Sequence, residues 1–417
     1  MHTPPHDTAT HVPDSARRVR FGVDEFLATA GAATRWRRVG LVTNDAARTA
    51  DDPSQRSRVA LQRGGVPLVS LFGPEHGLGA AAADGAPVTD GHDATTGLPV
   101  VSLYGERMRP TTAHLNGLDA VLFDIPDVGA RFYTYAWTLW HVLHACADAG
   151  VPLVVLDRPN PPGGVIAAAE GPMLAPDCRS FIGESDIPIR HSLTLGELGR
   201  LWQREQVPHA ALEVVRCVGW DRTRAWRATG CAWIPTSPAM PHADSTVWYP
   251  GTCLFEATNL SVGRGTDAPF TMIGAPWLDA ARVAESVTAN GVSCTPVFFT
   301  PAIGPHADRC CHGVRLAVTG AADVPDADAF IARSLRPVSL GLRLLAQVAR
   351  QHPDHFAWTT YPTAANPSGA DHFARLAGTR ELAASLVDPQ APLPTERTTR
   401  ATGWAARVAP ILLYGAG

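Results

Sequence analysis

The chain has 417 residues, 45% of them hydrophobic and 18% charged, with a formal net charge of −4. That length suits two domains with ample core, and that charge offers nothing to nucleic acid or another polyanion. All 35 basic residues are arginine, so Schiff-base lysines, phosphate-loop lysines and kinase lysines are excluded together, while bidentate recognition of carboxylates stays open.

The first 20 residues carry Pro, Thr and His and no apolar core of a leader, and read as a disordered tail. From Val39 onward, short apolar runs alternate with amphipathic ones. Val39–Asn44 predicts a strand, Ser54–Gly65 a helix stopped by glycine, and Val66–Phe72 a second strand. Leu98–Gly105 predicts a third strand, Thr111–Gly117 a short helix or turn, and Asp119–Gly129 a fourth strand. Tyr133–Gly150 has helical spacing, and Val151–Gly164 reads as a fifth strand ended by prolines. Thr194–Gln206 and Leu212–Trp220 continue the alternation with a helix and a strand. Apolar strands without alternation are those covered on both faces. The expected fold is therefore α/β, a Rossmann-like, mostly parallel sheet over 21–238. The Pro-rich stretch Ile234–Thr252 marks the boundary, and 239–417 reads as a smaller α+β C-terminal domain. No apolar run reaches the roughly 18 residues of a membrane span. With no export signal in view, the cytoplasm is the default compartment. Eight cysteines without a C-x-x-C pair read as free thiols.

The ends of the predicted strands collect polar residues. Asn44 ends the first, Glu75-His76 the second, and Tyr104 the third. Asp124, Asp127 and Arg131 follow the fourth; Asp157, Arg158 and Asn160 follow the fifth. Parallel strands deliver these ends to one side of the sheet, where α/β proteins bind ligands. Structural alternatives stand beside them: ion pairs for Asp157-Arg158 and Asp127-Arg131, a loop hydrogen bond for His76, a turn cap for Asn44. Glu75 has the weakest such alternative, because a carboxylate on the tight turn Pro74-Glu75-His76-Gly77 after a core strand serves no evident packing purpose. There is no G-x-S-x-G and no H-E-x-x-H. Gly263–Ala268 matches a dinucleotide fingerprint only out of context, with Pro269 next, and reads as a substrate-facing loop. No cofactor and no metal is called for. Acid/base hydrolysis of a glycoside fits a carboxylate set of this kind.

The segments "FGPEHGLGA", "TGLPVVSLYG", "DVGARFYTY", "LDRPNPPGG", "EGPML", "IPIRHSLTLGELG", "PTSPAMP" and "FEATNLSVGRGTDAPFTMIGAPW" stand in an order that resembles the bacterial exo-β-N-acetylmuramidases. The resemblance runs from about Phe21 to near the end. It implies a cleft between the two domains, no nucleotide cofactor, and release of N-acetylmuramic acid from the non-reducing end of peptidoglycan fragments. The partner is then a small glycan or muropeptide, with no nucleic acid and no membrane. It implies Glu75 as the acid with His76 beside it. For the second catalytic group it offers Asp124, Asp127, Glu170 and Glu256, with Glu170 and Asp127 ranked first. Candidates for contacts to the sugar or its lactyl carboxylate are Arg190, His191, Asn259, Arg264 and Thr266, joining Asn44, Tyr104, Arg131, Arg158 and Glu256 as expected substrate-side residues. The chain departs from the family at Leu78-Gly79-Ala80, Pro126, Ser192, Ala239 and Val262, so glycan preference is open. Two other readings stay open: a non-catalytic muropeptide-binding protein, and a metal-dependent hydrolase using His76, Asp124 and Asp127.

Overall fold

The computed structural model describes residues 18–29, 35–287 and 289–415. Most of the expected tail lies outside them, and its last part is already engaged: Val19 is buried and Arg20 bridges Val218.

Seven strands form the main sheet: β1 (Val39–Thr43), β2 (Leu68–Gly73), β3 (Gly91–His92), β4 (Pro99–Ser102), β5 (Ala120–Asp124), β6 (Leu153–Leu156) and, after an antiparallel ribbon of β7 (Glu170–Met173) and β8 (Pro188–Arg190), β9 (Leu212–Val215). Their spatial order is β3-β4-β2-β1-β5-β6-β9. Every pair is parallel except the short β3 against β4. Leaving β3 aside, this is the doubly wound order, which reverses between β1 and β5. Those two central strands, "VGLVT" and "AVLFD", are buried at every position, as their unbroken apolar runs require.

The helix Tyr135–Ala149 packs Trp137, Leu139, Val142, Leu143 and Cys146 inward and ends at Gly150, whose left-handed φ of 66° releases the chain toward β6. The helix Leu195–Glu205 starts on a capping box of Thr194 and Glu197. Of the predicted strands, the fifth is the most shortened, because the prolines after Asp157 leave the ladder. The β7–β8 ribbon had no alternating pattern to announce it.

The second half holds an antiparallel sheet, β10 (Met272–Ala275), β11 (Val292–Phe299) and β12 (Cys311–Val318), in the order β10-β12-β11. The helices Ala243–Thr252 and Pro337–Gln351 cross where Gly251 meets Gly341. A Cβ on Gly341 would lie 2.4 Å from the Gly251 carbonyl oxygen, so only glycine permits this approach. One continuous hydrophobic core joins the halves, running from Val42 and Phe123 under the sheet to Phe255 and Leu344 beyond it. Among the described residues, no helix is long and apolar enough to cross a membrane.

Candidate active site

The turn after β2 shapes the site. Gly77 takes a φ of 72°, and His76 takes 67°, a left-handed conformation uncommon for a side-chain-bearing residue. Glu75 lies in a cavity at the seam of the two halves, together with His76, Asp84, Tyr133 and Thr134 from the first half and Tyr249, Glu256, Arg264, Tyr361 and His372 from the second. Glu75 is 8% exposed. Its Oε1 accepts the Gly85 backbone N–H at 2.9 Å and its Oε2 accepts the Thr134 hydroxyl at 2.6 Å. Both oxygens are thus oriented by donors, one from a loop and one from the start of a helix. Burial, and next the charge of Glu75, push the Tyr104 phenol up, so it keeps its proton beside that carboxylate.

His76 Nδ1 lies 2.8 Å from the Ala82 carbonyl, which only accepts, so Nδ1 carries the proton and donates. Nε2 then faces Asp84 Oδ1 at 3.6 Å. The other oxygen of Asp84 pairs with Arg264, and Arg264 also pairs with Glu256. Glu256 in turn accepts the Cys253 thiol at 3.3 Å. The Arg264 guanidinium sits over the Phe270 ring, 5.0 Å from its centroid. In the same cavity the rings of Tyr361 and His372 stack 4.7 Å apart. Burial lowers the His372 imidazole to about 4, so it is neutral at physiological pH. The result is an aromatic-walled recess with an oriented glutamate and a two-acid, one-arginine network, a pattern suited to a polar small molecule.

Residues 39–244 match the model described as "Exo-beta-N-acetylmuramidase NamZ, N-terminal", and residues 247–414 match its C-terminal counterpart. The chain belongs to this exo-β-N-acetylmuramidase family. A relative from Bacillus subtilis (strain 168), named peptidoglycan β-N-acetylmuramidase NamZ, is 38% identical over 344 residues, which is 81% of this chain and 79% of that protein. Two DUF1343 family proteins of Bacteroides fragilis have similar crystal structures. One gives a TM-score of 0.81 at 27% identity, covering 95% of this chain and 99% of its own. The other gives 0.69 at 24% identity, covering 96% and 100%, and speaks for the fold alone.

In this family member the cavity gathers Glu75, His76, Glu256 and Arg264 from the expected residues, with Tyr104 beside Glu75, and leaves the others elsewhere. Asp124 is paired bidentately with Arg158, at 2.6 and 3.1 Å, and Arg158 also bonds the Arg48 carbonyl and the Ser57 hydroxyl. The expected Asp157-Arg158 pair is absent: Asp157 accepts from Thr194, Gly196 and Tyr414. Arg131 does not pair with Asp127 either; its guanidinium binds the carbonyls of Pro172, Ile187 and Leu376. Asp127 caps the Gly129 N–H and lies 3.5 Å from the buried His191. Arg190 ties the carbonyls of Leu335, Pro162 and Ile331. Asn44 bonds Tyr135 and Ala46, Asn259 bonds His355 and Ala357, and Thr266 closes its own glycine loop on Gly263.

Glu170 needs the clearest correction. It accepts the N–H groups of Val338 and Ser339 at 3.0 Å and the Thr399 hydroxyl at 3.2 Å, at the start of the helix Pro337–Gln351. It is a helix-terminus anchor, fully engaged away from the cavity. The metal reading fails on geometry as well, since His76, Asp124 and Asp127 are held by three separate sets of partners. Sequence reasoning missed Asp84, Thr134, Tyr361 and His372. For Asp84 a signal existed: it is the single charged residue in the run "AAADGAP" that follows the Glu-His turn.

Proposed function

We propose that the protein is a glycoside hydrolase that releases N-acetylmuramic acid from the non-reducing end of peptidoglycan fragments, with Glu75 as its general acid. The observation that carries this reading is Glu75 itself, oriented on both oxygens inside a recess built from both halves of an exo-β-N-acetylmuramidase family chain. In the reaction the Glu75 carboxyl gives its proton to the glycosidic oxygen as the bond to the anomeric carbon breaks; water then adds its hydroxyl to that carbon, and its other proton restores the carboxyl. The Gly85 N–H and the Thr134 hydroxyl then stabilise the carboxylate left behind. The Thr134 hydroxyl can also rotate to accept from the protonated acid, so it serves both states. His76, fixed through Ala82, sits next in the chain to that acid, with its Nε2 3.6 Å from Asp84. The aromatic walls of Tyr133, Tyr249 and Tyr361 suit a sugar face. All eight cysteines are free, which favours a reducing compartment and hence fragments taken into the cytoplasm.

A chromogenic β-N-acetylmuramide tests the reading. The native protein should release the chromophore, and Glu75→Gln should lose about 10²–10⁴-fold in kcat with unchanged folding. Release from another N-acetyl sugar in preference to the muramide would redirect the substrate. No turnover of any glycoside would reject the class.

A further inference from the structure

We propose that Arg264 is the receptor for the substrate's own carboxylate, and that an acidic sugar reaches it by displacing Asp84. The inference rests on the muramidase reading, because N-acetylmuramic acid carries a lactyl carboxylate. Among the described residues lining the cavity, Glu75, Asp84 and Glu256 are acids and Arg264 is the one arginine. His372, a further basic side chain of the lining, is neutral through burial. An anion entering such a site meets net repulsion unless it replaces one of the resident acids on the guanidinium.

The two acids on Arg264 are not equivalent. The Glu256 side chain is 8% exposed, it belongs to the helical turn Cys253–Ala257 in the same half as Arg264, and its second oxygen is taken by the Cys253 thiol. The Asp84 side chain is 28% exposed and reaches across from the other half on a loop without regular structure. Its second oxygen points away from the guanidinium, on the His76 side, 3.6 Å from Nε2. Asp84 is the acid that yields. Phe270 beneath the guanidinium keeps that planar group in place, so an incoming carboxylate meets the Nη1 donor that Asp84 leaves while Nε stays on Glu256. A neutral N-acetylhexosamine has nothing to exchange and must bind with the Asp84–Arg264 pair intact. Discrimination between acidic and neutral sugars thus resides in this pair, and Asp84 tunes it by competing with the ligand.

Calorimetric binding of free N-acetylmuramic acid and of N-acetylglucosamine to the full chain separates the outcomes. The native protein should favour the acidic sugar by about tenfold or more. Asp84→Asn should tighten N-acetylmuramic acid by roughly three- to tenfold and leave N-acetylglucosamine within about twofold, because only the acidic ligand competes with that side chain. Arg264→Gln should erase the preference. Weaker binding of the acidic sugar to Asp84→Asn, or an equal change for both sugars, overturns the exchange, and this variant decides alone if Arg264→Gln does not fold. Sugar binding that ignores the carboxylate in the native protein overturns the exchange while leaving the glycosidase reading to the Glu75 assay. No binding of either sugar, with no muramide turnover, overturns both.

Discussion

Two regions of this molecule hold carboxylates against arginine, and they differ in how completely their partners are used. At the carboxyl ends of β5 and β6, Asp124 and Arg158 are buried, bidentate, and closed off by the Arg48 carbonyl and the Ser57 hydroxyl. At the seam, Arg264 is shared between Asp84 and Glu256, and the other oxygen of Asp84 faces His76 without a hydrogen bond. The strand ends at the switch point are where a doubly wound fold usually receives its ligand. Here that place is filled by side chains that satisfy one another. The turn after β2 carries Glu75 outward instead, to meet the second half. Saturation marks the structural set, and a shared, partly exposed arginine marks the candidate site.

Substitutions should separate the regions, beginning with the largest effect. Glu75→Gln should cut kcat by about 10²–10⁴-fold while the denaturation midpoint stays put; loss of both together would return Glu75 to the structural set. Asp124→Asn should behave in the opposite way. It strands the buried Arg158 charge and should cost about 3–5 kcal/mol of stability in chemical denaturation, with turnover per folded molecule little changed. Asp84→Asn, being partly exposed, should cost no more than about 1 kcal/mol by the same method.

Glu170 gives the pH test. Burial pushes its carboxyl up to about 7 from the usual range near 4.5, so the folded state holds the proton more tightly than the unfolded chain. Its contribution to stability is therefore fully present below about 4.5 and is lost as pH rises through about 7. The stability difference between the native protein and Glu170→Gln should shift against the native protein by on the order of 3 kcal/mol across that window. A flat difference would mean that the Val338 and Ser339 amides hold the ionised form as well as water does. A small effect of the opposite sign is expected at Ser192, a non-glycine residue at a φ of 58° whose buried hydroxyl finds no partner. Ser192→Gly should stabilise by about 1 kcal/mol, read as a raised midpoint.

Much of the fold was legible because a strand covered on both faces must be largely apolar, and β1, β2, β5 and β6 are. The Thr194 cap and the Gly150 stop were likewise visible as local chemistry. The β7–β8 ribbon was not, since its two strands are three and four residues long and carry proline. Within the site, Glu75 and His76 stood out because an ionisable pair on a tight turn is locally odd. Glu170 misled because its motif says that a carboxylate is needed without saying what needs it.

By itself, then, the sequence determined the order of the main strands and helices, the absence of lysine chemistry, and the tight turn that bears the acid. Those depend on neighbours in the chain. Which carboxylates meet which donors was decided only by tertiary structure: Asp84 finds Arg264 from 180 positions away, and Glu170 finds Val338 from 168. The charge partners that make one acid an anchor and another a reactive group are supplied by folding, because electrostatic interactions act through space and not along the chain.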